Sequence, residues 1–158
     1  MSLLLIEGAL AEMETQLTAN MGAKLTALNT AYGDGITLAA IKAYYIGEQQ
    51  QIPEYPAIVL EGPDSDIEDY STTDLGAIHK ITITTVVTDT VNETLARRAM
   101  RHNRAVIETI MECHAAGAFS WTLSIDSCSF SSTYTNVATK TFMRGAAVFL
   151  TMSKREIK

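Results

Sequence analysis

The stretch that most constrains this chain is Asn92 to His114, NETLARRAMRHNRAVIETIMECH. Taken at about 100° per residue, Leu95, Ala99, His102, Val106, Ile110 and Cys113 share one arc, which Met100, Ile107 and Met111 widen. Asn92 suits the N-cap, Glu93 sits where the helix dipole favours an anion, and Gly117 supplies a stop. Arg97, Arg101 and Arg104 fall together on the opposite side, with Glu93, Glu108 and Glu112 nearby. Strand-like segments flank this helix in sequence, so the simplest architecture lays it across the sheet they build. The fold class expected is α+β: an antiparallel or mixed sheet of about four strands against a long N-terminal helix and this second, amphipathic one.

The N-terminal helix is predicted from Ser2 to about Ala31, with Ile6, Leu10, Met13, Leu17, Met21, Leu25 and Leu28 at spacings of three and four. Gly22 is a candidate kink, and Gly33-Asp34-Gly35 breaks the pattern. From Ile36 to Ile52 a short helical turn running into extended chain is expected. Pro53 and Pro56 forbid continued helix, so a short strand should emerge over Ala57 to Glu61. Gly62 to Gly76 carries Asp64, Asp66, Glu68, Asp69 and Asp74 with no basic residue, and reads as a mobile acidic hairpin tip. Ile78 to Thr88 alternates Ile81, Ile83 and Val87 with Lys80, Thr82, Thr84 and Thr88, the period of a half-buried strand.

Trp121, Leu123 and Ile125 alternate with Thr122, Ser124 and Asp126, and the apolar phase then shifts to Cys128 and Phe130, predicting a bulge near Ser127. Ser131 to Ala138 reads as a polar turn region. Thr139 to Ser153 is apolar on both parities, so it is either central and covered twice or has a face awaiting a neighbour. Residues 154–158 form a basic tail, expected to be mobile.

At 158 residues the chain fits one domain, 1–158, which at that size buries about 70% of the surface its unfolded form exposes. Cys113 and Cys128 are expected as free, buried thiols. Glu7 interrupts the only apolar run at the N-terminus, and no stretch reaches the roughly 20 apolar residues of a membrane span. The expectation is a soluble, cytosolic chain with no membrane partner. A net charge of −6 opposes general affinity for nucleic acid.

No catalytic, metal or cofactor constellation emerges. His102 and Cys113 are eleven residues apart, about 16 Å along a helix, too far to share a metal. His114 points about 100° away from Cys113, and His79 has no motif around it. The acidic segment lacks the EF-hand register: counted from Asp64, the sixth position is not Gly and the twelfth is Leu75. No phosphate loop or Gly-x-Ser-x-Gly elbow is present. The strongest charged feature is the arginine group. Its residues either pair with Glu93 and Glu108 inside the helix, meet the acidic loop of an identical neighbour in a head-to-tail ring, or face a nucleic-acid backbone.

The order of elements carries a resemblance. A long amphipathic helix, the segment Glu54-Tyr55-Pro56-Ala57-Ile58-Val59-Leu60, an acidic hairpin tip, a Thr/Val/Ile strand, an Arg-rich helix and two closing strands resemble the tail-terminator (tail-completion) proteins of long-tailed bacteriophages. The resemblance implies a structural virion protein without catalytic site, metal or cofactor, made in the host cytoplasm. It implies a homo-oligomeric, typically hexameric ring that ends the tail tube, binds tail tube protein and the head-tail connector or stopper, and lets DNA pass its lumen without specific binding. The alternatives are a connector or stopper of the same neck, and a non-viral α+β domain binding a small ligand between helix and sheet. The residues expected at subunit or partner contacts are Asp64, Asp66, Glu68, Asp69, Arg97, Arg101 and Arg104.

Overall fold

The computed structural model describes residues 5–49, 51–69 and 74–157, with the backbone alone at 69 and 157. Helix α1 runs unbroken from Ile6 to Tyr32, through Gly22, and buries Leu10, Met13, Leu17, Met21, Leu25 and Leu28. The predicted start at Ser2 lies outside the described residues. Gly33 ends the helix in the left-handed region, φ 54°, where a Cβ would be strained.

Among the described residues two helices and a mixed six-stranded sheet make an α+β fold, as the pattern predicted. The strands are β1 (Ala43–Ile46), β2 (Ala57–Asp69), β3 (Asp74–Asp89), β4 (Thr122–Phe130), β5 (Tyr134–Asn136) and β6 (Thr141–Ile157), and α2 spans Asn92–Ala115. Their order across the sheet is β1-β2-β3-β6-β4, with β5 paired to the start of β6. Only the β1–β2 pairing is parallel; the other ladders are antiparallel.

The expected four strands became six because β1 and β5 have no long alternating pattern. Among the described residues of Ile36 to Ile52 no helical turn forms. Instead Asn29 receives the Leu38 N–H on Oδ1 at 2.7 Å and donates Nδ2 to the Leu38 carbonyl at 3.0 Å. A side chain from α1 thus supplies both bonds that a backbone partner would, and it draws the chain out extended toward β1.

The acidic segment also departs from expectation. Residues 64–69 and 74–76 are paired strand, with Asp64 opposite Lys80, Asp66 opposite Ile78 and Glu68 opposite Gly76. Backbone ladder bonds need no apolar side chains, so the polarity of the segment did not preclude a strand. Residues 70–73 lie outside the described residues. The supposed basic tail is likewise strand as far as residue 157, because β3 continues to Asp74 and offers residues 154–157 a partner.

One face of the sheet carries both helices. From it Ile58, Leu60, Ala77, Ile81, Ile83, Val148, Leu150 and Met152 join α1 and α2 in the main core. On α2 the expected arc is buried throughout, but Met100 and Met111 stand 51% and 58% exposed, so the apolar stripe is narrower than the sequence suggested. Val91, extended at φ −119°, is the N-cap residue and Asn92 is the first helical one. Asp89 Oδ1 caps the approach by accepting the Thr90 and Val91 N–H groups at 2.7 and 3.2 Å.

Among the described residues the opposite face meets no helix. Its strand residues include Thr82, Thr84 and Val86 on β3, Met143, Ala147, Phe149 and Thr151 on β6, and Thr122, Ser124, Ser127 and Ser129 on β4. The two-sided apolar character of β6 has this origin: Ala146, Val148, Leu150 and Met152 are core, while Phe149 on the bare face is 37% exposed.

Candidate assembly surfaces

Two bulges shape the margins of the sheet. On β2, Gly62 and Pro63 together face the single residue Ile81, since Glu61 pairs with Thr82 and Asp64 with Lys80. Proline has no N–H to lose from a ladder, and Gly62 lies against Ile6 of α1 with no room for a Cβ. On β4, Asp126 is the extra residue between Ile125 and Ser127, one position from the predicted bulge.

Beyond its bulge β2 turns Asp64, Asp66 and Glu68 to the bare face, in register with Lys80, Ile78 and Gly76 of β3. All three carboxylates are exposed. The side chain of Asp69, the fourth expected acid, lies outside the described residues. On the other side of the same strand Ser65 Oγ is 2.8 Å from Nδ1 of buried His79, whose ring meets Trp121 at a centroid distance of 5.2 Å. His79 is therefore a packed residue of the helix-bearing face.

The two basic side chains that the strands turn to the bare face both have carboxylate partners. Lys80 lies 3.7 Å from Asp126 and donates to Thr151 Oγ1 at 2.8 Å, while Arg155 pairs with Asp74. The surface that results is one of hydroxyls, small apolar groups and carboxylates.

The arginines of α2 do not form a common stripe. Arg97 is exposed and pairs with Glu93 at 3.2 Å, one turn away. Arg104 donates Nε to Glu108 Oε1 at 2.5 Å and Nη1 to Tyr32 Oη at 2.9 Å. Arg98 meets Asp89 at 2.9 Å. Arg101, expected on the solvent side, is instead buried at 9% exposure. Its guanidinium lies 3.8 Å from the Tyr32 ring centroid and grips the Asp34 carboxylate in a two-point contact. The cause is the Gly33-Asp34-Gly35 turn after α1, which brings Asp34 and Tyr32 over the middle of α2. That hydrogen-bonded guanidinium holds the Asp34 carboxyl well below the usual carboxylate range, and Asp34 in turn raises Arg101. The partner of each of these arginines lies in its own chain.

His102 is buried, with Nδ1 2.9 Å from the Arg98 carbonyl and Nε2 3.1 Å from the Ala39 carbonyl. Burial pushes its pKa down, against the upward pull of those two carbonyls. Cys113 is buried and its thiol is pushed up, first by desolvation and then by Glu112. Cys128 is exposed rather than buried, on β4 at the edge of the sheet. Among the described residues no group of three or more His, Cys, Asp or Glu is placed to hold a metal ion, and no helix is long and apolar enough to cross a membrane.

Two open cavities are of note. A groove of about 410 Å³ between α1 and the end of α2 is lined by Gln16, Asn20, Lys24, Thr109, Glu112 and Cys113. Lys24 bridges it by pairing with Glu112 and approaching Glu108 at 3.7 Å. A second, of about 520 Å³, lies beside β5 between Tyr55, Tyr134, Val137 and Met143. Neither lies between a helix and the sheet, where a small-ligand pocket was the expected alternative.

The sequence signal for the bare face was present in the Thr-rich parity of β3 and the second apolar parity of β6. What was missing was their alignment, which depends on strand order. No protein-family model matches the chain, and no curated protein matches it. Among solved structures it is similar to a chain described as "Virion of native gene transfer agent (GTA) particle", at 18% identity and a TM-score of 0.35, over 87% of this chain and 93% of that one.

Proposed function

We propose that this chain is a structural virion protein that assembles into a ring at the end of a phage-type tail tube, with the bare face of its sheet turned to the lumen. The observation that carries this reading is the one-sidedness of the sheet. A sheet covered by helices on one face only has a second face to bury or to line something with. This face suits lining better than burial, because Asp64, Asp66 and Glu68 are exposed on it while Lys80 and Arg155 have carboxylate partners. Such a surface repels a passing polyanion, and the cations on it are already partnered by carboxylates. The net charge of −6 acts in the same direction.

In this role the protein works by templated assembly: its ring stops tube growth and offers its other side to a head-tail connector. Arg97 and Arg104, exposed on α2, then belong to the outside of the ring, and the acidic residues of β2 to the inside. Light scattering on the purified chain, alone and with tube-forming protein, tests the proposal. The expected result is a closed oligomer, sixfold by the family resemblance, that caps tube ends in electron micrographs. A chain that stays monomeric in both conditions and leaves tube length unchanged would rule it out. A band on the portal side of the neck, away from the last tube ring, would reassign it as a connector or stopper.

A further inference from the structure

We infer that residues 122–127 of β4 in one copy pair edge to edge with residues 61–66 of β2 in the next copy, joining the sheets around the ring; this rests on the ring reading above. Apart from the short β5 beside the start of β6, the described sheet is one path with two margins, β4 at one end and β1 with the overhanging part of β2 at the other. Beyond Leu60, where β1 stops, no described strand pairs with the outer side of β2. If copies repeat about an axis along the strands with the same face inward, the β4 margin of each must meet the β2 margin of its neighbour. β2 runs antiparallel to β3, β3 to β6 and β6 to β4, so these two margins also meet antiparallel.

Three details fit. Six residues of β4, Thr122 to Ser127, stand level with Glu61 to Asp66, the part of β2 that β1 leaves open. The two bulges lie on one row: Gly62-Pro63 faces Ile81, Ile81 pairs with Leu150, and Leu150 pairs with Ile125 just before Asp126. Each margin is therefore one residue longer than the interior at the same level, and the two can stay in register past it. On the rows that follow, Asp64 aligns with Ser124 through Lys80 and Thr151, and Asp66 aligns with Thr122 through Ile78 and Ser153. Hydroxyl donors would face carboxylate acceptors across the joint. β4 has no lysine or proline to blunt it, and its one charge, Asp126, is beside Lys80. Pairing β4 with itself about its midpoint would bring two copies of Asp126 together, so the two different margins are the better match.

Disulfide trapping tests this in the full chain. In a Cys128→Ser background, Asp66→Cys with Thr122→Cys should give, on oxidation, a ladder of covalent multimers that neither single substitution gives. Ser124→Glu should raise the concentration for half-assembly about threefold or more by facing Asp64, and Asp64→Lys should restore it. A ring that forms by light scattering yet yields no ladder and ignores Ser124→Glu overturns the pairing and leaves the ring standing. A chain that never assembles overturns both.

Discussion

Arg101 donates Nη1 to Asp34 Oδ1 at 2.9 Å, joining the middle of α2 to the turn that ends α1, sixty-seven residues away in sequence. With its guanidinium also against Tyr32, this contact ties the middle of α2 to the end of α1. Arg101→Leu and Asp34→Asn should each lower the thermal midpoint, and the double variant should lose less than the sum because the two act as one unit. Asp34 adds a pH signature. Its folded pKa lies below the ordinary 3.8, so its contribution is complete above that value and is lost as pH falls through the folded one. Thermal unfolding scanned from pH 5 downward should show a slope that Asp34→Asn flattens.

His102 should act in a separate, higher window. Burial lowers its folded pKa below the ordinary 6.5, so the stability held by the neutral ring is complete above that value and declines as pH falls toward the folded one. His102→Gln keeps a donor toward the Ala39 carbonyl and removes the titration. Urea unfolding of the wild type should weaken below pH 6.5 more steeply than that of the variant.

Gly62 is predicted to resist a side chain. A Cβ there would stand 2.0 Å from Ile6 Cδ1, so Gly62→Ala makes the Ile6 side chain give way and should cost about 1–3 kcal/mol in chemical denaturation. Ile6→Val in the same chain should recover part of the loss. An unchanged midpoint in Gly62→Ala would show that α1 does not rest on the bulge.

Thiol titration distinguishes the two cysteines. Cys128 is exposed and Cys113 is buried with a raised pKa, so a soluble disulfide reagent should label one equivalent quickly in the native protein and a second only on unfolding. Two fast equivalents would place Cys113 in an opened groove between α1 and α2.

Core truncation should separate packing from assembly. Leu17 of α1 is fully buried, and Leu17→Ala should destabilise the subunit by about 2–5 kcal/mol. Ser124→Glu, on the edge strand, should leave the thermal midpoint of the dissociated subunit nearly unchanged. A large drop for Ser124→Glu would place that side chain in the packed interior.

Local periodicity alone placed the elements whose burial pattern it carries. The buried residues of α1 recur every three or four positions, the arc of α2 from Leu95 to Cys113 is apolar along one side, and β3 alternates Ile81 and Ile83 with threonines. Each pattern reports burial on one face, and burial on one face is what makes an amphipathic segment fold where it does. Tertiary structure decided everything that depends on a distant partner. β1, β5 and the acidic half of β2 became strands because a neighbouring backbone offered ladder bonds, which side-chain pattern does not announce. Arg101 went inward because Asp34 and Tyr32 arrived beside it from another helix. The bare, hydroxyl-rich face exists only once β3, β6 and β4 lie side by side, since no one of these strands is long enough or polar enough to show it alone.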